Sequence, residues 1–120
     1  MMTYFEGREL KSYAEPITSD ELREGEIYFF VNFVDESLLI PTMTTVVFVG
    51  RNLEEGDENQ VYFQDIESYM SGVRYDTAAA DNPAVFECGA ENELGHVFDY
   101  EHALDQLLAC SLRRKRAAQK

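Results

Sequence analysis

Apolar residues in this chain recur mostly at every second position, in short runs closed by glycine, proline or acidic residues. That period places side chains alternately on two faces of an extended strand. The clearest run is Ile27 to Val34. Ile27, Phe29, Val31 and Phe33 share one face, and Tyr28, Phe30, Asn32 and Val34 share the other. Both faces are mostly apolar, and β-branched and aromatic residues dominate, so this strand is expected to be buried on both sides. Asp35-Glu36-Ser37 closes it. Leu38-Leu39-Ile40 then meets Pro41, which has no N–H for a ladder and implies an edge or a bend. Thr44 to Val49 reads as a second strand ended by Gly50. Residues 52 to 59 hold Leu53 and otherwise only Glu, Gly, Asp and Asn, the composition of a solvated hairpin loop. Gln60 to Ile66 reads as a third strand, Ala84 to Cys88 as a fourth, and Leu94 to Phe98 as a fifth after a turn over Gly89 to Glu93.

The period changes after Asp99. Tyr100, Ala103, Leu104, Leu107, Leu108 and Leu112 follow the i, i+3, i+4, i+7 rhythm of an amphipathic helix. Asp99 suits its N-cap, acids fill its first turn and arginines its last, as the macrodipole favours. The helix is expected to end near Arg114. Thr18-Ser19-Asp20-Glu21 carries a capping-box pattern for a short N-terminal helical turn, stopped by Gly25. Residues 3 to 17, with Tyr4, Phe5, Leu10, Tyr13 and Ile17 as apolar points, suggest a strand or hairpin arm. Ser68 to Asn82, containing Gly72 and the run Ala78-Ala79-Ala80, reads as an irregular, mobile excursion with little apolar surface to anchor it.

Close spacing of short strands indicates an antiparallel sheet rather than a doubly wound parallel one. The predicted fold is therefore α+β: about five strands in a strongly curved, half-barrel-like antiparallel sheet. A short N-terminal helical turn precedes it, and one C-terminal amphipathic helix packs on it. Residues 1–112 form the single globular domain, and residues 113–120 a basic, disordered tail. A chain of 120 residues with 45% hydrophobic residues, eight Phe and seven Tyr can bury a core without metal or disulfide.

Charge adds a second layer. The net charge is −13, and five of the ten bases lie in the last eight residues. Residues 1 to 112 thus set five bases against all 23 acids, a net −18. Such a body repels phosphate backbones and anionic lipid, so neither nucleic acid nor membrane is expected as a partner. It would attract and steer a basic protein. No apolar run approaches the length of a membrane helix, and the N-terminus lacks a signal-peptide pattern. Cys88 and Cys110 match neither a metal spacing nor a disulfide framework. These features favour the cytoplasm.

The candidate chemistry is sparse. His96 and His102, with Asp99 and Glu101 nearby, lack the ligand spacing of a zinc site, so no metal is expected. Asp65 and Glu67 would share a face if the third strand reached that far. Two carboxylates at such a separation are what glycoside hydrolysis needs, although acids are common throughout this chain. No Gly-rich phosphate loop or nucleophile elbow occurs, and no cofactor is expected. Cys110 sits among leucines as a packing residue. Cys88 is the better candidate for a reactive thiol, but Glu87, Glu91 and Glu93 beside it suppress the thiolate. Tyr28, Tyr62, Phe63 and Tyr69 could cage a cation with Asp65 or Glu67 adding charge. Phe63-Gln64-Asp65 resembles three residues of the third strand in Tudor-like barrels, too short a stretch to assign a family. The basic run Arg113 to Arg116 reads as the end of a helix rather than a nucleic-acid patch.

The reading that follows is a non-enzymatic protein-interaction module, with Tyr62, Asp65, Glu67 and Tyr69 as its candidate surface. The module could be an inhibitor or immunity-type protein for a basic partner, and it could form a homodimer. Two rivals come from other classes. One is a small hydrolase or isomerase using Asp65, Glu67 and His96. The other is a small-ligand carrier with its ligand between helix and sheet.

Overall fold

In a computed structural model of the chain, the structure describes residue 10, residues 14–77 and residues 83–119. A 3₁₀ turn over Ser19–Glu21 is followed by strands β1 (Ile27–Phe33), β2 (Pro41–Arg51) and β3 (Gln60–Asp65). A short helix α1 (Ile66–Met70), strands β4 (Phe86–Ala90) and β5 (Val97–Phe98), and helix α2 (Tyr100–Ala118) complete the order. The five strands form one open, curved sheet in the order β4-β3-β2-β1-β5, antiparallel throughout. The fold is α+β, as the periodicities predict.

Both faces of this sheet are covered, which explains why β1 is apolar on both sides. On one face Tyr28, Phe30, Val46, Phe48, Val61, Phe63 and Val97 form the main core. Leu22 and the half-buried Ile17 close it from the N-terminal segment, and Leu94 closes it from the loop before β5. Ile17 donates its N–H to the Val97 carbonyl at 2.8 Å, which fastens that segment to the sheet edge. On the other face Val31, Phe98 and Ala103 form a second cluster, joined by Phe29 and Leu107, where α2 lies across β1 and β5. Burying a side chain such as Phe48 or Val97 stabilises the fold by roughly 1.5–3 kcal/mol each.

Curvature has a visible device in β2. The pairing of β2 with β3 shifts between Phe48 and Gly50. Gly50 has φ +145°, a backbone conformation that side-chain-bearing residues rarely adopt. A bulge of this kind bends its strand and increases the local twist.

Several boundaries differ from the sequence reading. Pro41 is not a bend but the first residue of β2, a place where a missing N–H costs no ladder bond. The third strand stops at Asp65, because Asp65 caps α1. The stretch after it is thus not irregular from Ser68 onwards. It begins as a helix whose end is closed by Val73 N–H bonding the Ser68 carbonyl at 3.1 Å, with Gly72 at φ +95°. The fifth strand shrinks to Val97–Phe98. Helix α2 does not end near Arg114 but runs through Ala118, so residues 113–118 are helical rather than a disordered tail. The arm expected over residues 3 to 17 and the alanine run at 78–80 fall wholly or mainly outside the described residues.

Candidate interaction surface

Of the four residues singled out by sequence, Tyr62 is buried, Asp65 and Tyr69 are half-buried and only Glu67 is exposed, and the aromatic cage that would include Tyr62 and Phe63 does not assemble. Adjacent strand residues point to opposite faces, so Tyr62 and Phe63 diverge. Phe63 lies in the main core with Tyr28, at 6.5 Å between ring centroids. Tyr62 is buried on the α1 side, edge-on to Tyr75 at 5.6 Å, with its hydroxyl bonded to the Asp57 carboxylate. That hydrogen bond, with burial and the nearby Cys88, pushes the Tyr62 phenol well above its ordinary value. Tyr69 is half-buried under the Arg74 guanidinium, 3.9 Å from its ring centroid. An intramolecular cation therefore already occupies that ring. Glu67 is exposed on α1.

Asp65 is engaged in the architecture. One carboxylate oxygen accepts the Ser68 N–H at 2.9 Å; the other accepts the Ser68 hydroxyl at 2.5 Å and the Val85 N–H at 2.8 Å. Desolvation pushes this carboxyl up, but the donors outweigh it and hold it below the usual carboxylate range. This is a helix N-cap and strand anchor, and Asp65 and Glu67 flank a strand-to-helix junction instead of sharing a strand face.

The histidines separate as well. His96 packs its ring against Phe30 at 4.8 Å. His102 sits in the first turn of α2, where its Nδ1 lies 2.8 Å from the Asp99 carboxylate. That contact raises the imidazole above its ordinary value against an opposing desolvation effect. Among the described residues no group of three or more His, Cys, Asp and Glu is arranged to hold a metal ion. Cys88 is exposed on β4 and Cys110 is buried in α2; both are free thiols. A cleft of ≈ 50 Å³, room for a few waters, lies on the main-core side between β3, β4 and the loop before β5. Phe30, Val61, Phe63, Glu87, Leu94 and His96 are among its walls; Asp65 and Glu67 are not. Between α2 and the sheet, where the carrier alternative would hold its ligand, Val31, Phe29, Phe98, Ala103 and Leu107 pack together.

What sequence reasoning missed is the end of the β1–β2 hairpin. Leu38 takes a left-handed conformation at φ +58°, which is unfavourable for a branched side chain. The turn is held from two directions. Asp35 accepts the N–H groups of Leu39 and Ile40 at 2.9–3.1 Å, which outweighs the desolvation of its carboxyl and lowers it. From α2, Arg113 donates to the Leu38 carbonyl and Arg114 to the Leu39 carbonyl, each at 2.9 Å. The Arg113 guanidinium also lies over the Phe33 ring at 5.3 Å. Two of the tail arginines are thus clamps.

This clamp ties together the two elements that leave the most apolar surface in water. Among the described residues nine large apolar side chains are exposed. Val34, Leu38, Ile40 and Met43 are on the hairpin, and Tyr100, Leu104 and Leu112 are on α2. Only Met70 and Val85 lie elsewhere. The sequence signal was present in Leu38-Leu39-Ile40, an apolar run outside any strand period and immediately before a proline.

No protein-family model, curated protein or solved structure matches this chain. No helix among the described residues is long and apolar enough to cross a membrane.

Proposed function

We propose that this chain is a non-enzymatic protein-interaction module whose binding face is the hairpin end together with the outer side of α2. The observation that carries the reading is the gathering of seven of nine exposed apolar side chains on these two clamped elements. Exposed apolar side chains gathered on adjoining elements mark interaction sites on soluble proteins. The engagement of Asp65 as a cap, with its oxygens already accepting three hydrogen bonds, weighs against the hydrolase reading. The acidic body favours a basic partner, as an inhibitor or immunity-type protein would have, because its field steers positive surfaces toward it. Two unbridged thiols suit a reducing, cytoplasmic setting.

The test is site-specific photo-cross-linking in the native cells. A photoreactive residue at Ile40 or Met43 is expected to give a discrete adduct with a basic protein, and one at Glu58 none. Its yield should fall with added salt. Adducts absent at the hairpin, or equal at all three positions, would overturn the proposal.

A further inference from the structure

We infer that the outer face of α2 is a self-complementary dimer surface, and that its occupant is the α2 of a second copy of this chain, running antiparallel. This inference rests on the proposal that hairpin and α2 form a binding face, and it names one partner for part of that face. Helix α2 has two apolar sides. Ala103, Leu107 and Cys110 face inward, the first two in the cluster with the sheet and the third buried. Tyr100, Leu104, Leu108 and Leu112 lie four residues apart and form a second row along the helix, whose first member, Tyr100, also meets Phe29 edge-on at 4.8 Å. In that row Tyr100 is 62% exposed, Leu104 44% and Leu112 40%, and Leu108 is half-buried.

Charge decides what fits this row. Glu101 stands beside its N-terminal end, and Lys115 and Arg116 beside its C-terminal end; all three are exposed. A two-fold axis through Leu108 pairs each residue with its counterpart, as an isologous interface requires. Leu104 then faces the second copy's Leu112, and Leu108 faces its own equivalent. Glu101 meets the second copy's Lys115, and Tyr100 the second copy's Arg116, a geometry suited to a cation over a ring. A parallel arrangement would instead set Glu101 against Glu101 and Lys115 against Lys115. The helix therefore encodes the antiparallel orientation. Rows spaced by four are also the ridges that seat in the grooves of a facing helix. A contact built mainly on one helix is at the small end of stable interfaces, so the dissociation constant is expected on the order of micromolar.

The experiment is sedimentation equilibrium of the full chain, from low to several hundred micromolar, at moderate salt. The expected result is a mass rising toward twice that of the chain. Glu101→Lys alone and Lys115→Glu alone should each weaken the dimer about tenfold, and the double swap should restore it, because complementarity is regained only in the antiparallel register. Leu108→Glu should give a monomer with unchanged circular dichroism. A monomeric mass throughout, or a double swap no better than either single variant, would overturn the dimer. The two readings separate cleanly. A strict monomer that still cross-links a basic protein through Ile40 removes only the dimer. A dimer without such an adduct overturns the proposed hairpin interface with a basic partner and leaves the α2 contact in place.

Discussion

Asp65 and Val85 hold each other by two hydrogen bonds: the Val85 N–H donates to the Asp65 carboxylate at 2.8 Å, and the Asp65 N–H donates to the Val85 carbonyl at 3.0 Å. One residue thereby starts α1 and sets the entry to β4. Asp65→Ala removes both the cap and the anchor, and should destabilise the fold by about 1–2 kcal/mol at neutral pH. The folded-state carboxyl titrates below its unfolded value. Its contribution is therefore complete above the unfolded value near 3.8 and fades as pH falls through the depressed folded one. Denaturant melts of both proteins should converge in strong acid. A difference that persists there would mean the carboxylate charge is not what matters.

At the start of α2 the sign is reversed. His102 is raised above 6.5 by Asp99, so the pair stabilises the fold fully below the unfolded value and loses that contribution as pH rises through the folded one. Asp99→Asn keeps a competent cap and removes the charge. Proton NMR titration should then show the His102 imidazole moving down toward its ordinary value, with α2 intact. An unmoved titration would refute the pairing.

Gly50 offers a backbone test. A Cβ there would sit 3.0 Å from Leu53 Cδ2, and φ is +145°. Gly50→Ala should cost on the order of 1–2 kcal/mol and lower the melting temperature. Gly89, where a Cβ would meet nothing within 4 Å, is the control, and Gly89→Ala should stay within about 0.5 kcal/mol of the wild type.

Arg113, half-buried, and Arg114, exposed, are expected to act as structural clamps in spite of their charge. Replacing both by Ala removes two hydrogen bonds to the hairpin carbonyls. The loss should be about 1–2 kcal/mol, seen as faster amide exchange over the last two turns of α2 and at residues 38–40. Exchange that quickens in α2 alone would show that the hairpin does not depend on the clamp.

Thiol chemistry should distinguish the two cysteines. Cys88 is exposed beside the Gln60 side chain, at 3.3 Å, and Cys110 is buried. One equivalent of an aromatic disulfide reagent should react under native conditions and a second only after unfolding, with Cys88→Ser abolishing the first. Two fast equivalents would mean that α2 opens readily.

The strand and helix periods made the sheet and α2 legible, because both follow directly from which side chains must leave water. Tyr28, Phe30 and Phe63 on one face, and Phe29 and Phe98 on the other, lie where alternation assigns them. Helix α1 was harder to see, since five residues show too little period; its signals were Asp65 as a cap and Gly72 beyond its end. The candidate surface was less legible still. The cage required Tyr62 and Phe63 to converge, which strand geometry forbids. Arg113 and Arg114 read as a solvated tail because their acceptors are carbonyls some 75 positions earlier in the chain, and no local pattern reports such a pairing.

That long-range clamp has a consequence for how the protein is made. Synthesis runs from the N-terminus, so the β1–β2 hairpin emerges well before Val97, Phe98 and the arginines that cover and hold it. Through that interval one face of β1 and the strained turn at Leu38 stand open to neighbouring nascent chains, a state in which unpaired apolar strands tend to aggregate. Production should therefore be more sensitive to translation rate and to holdase chaperones than the stability of the finished fold would suggest.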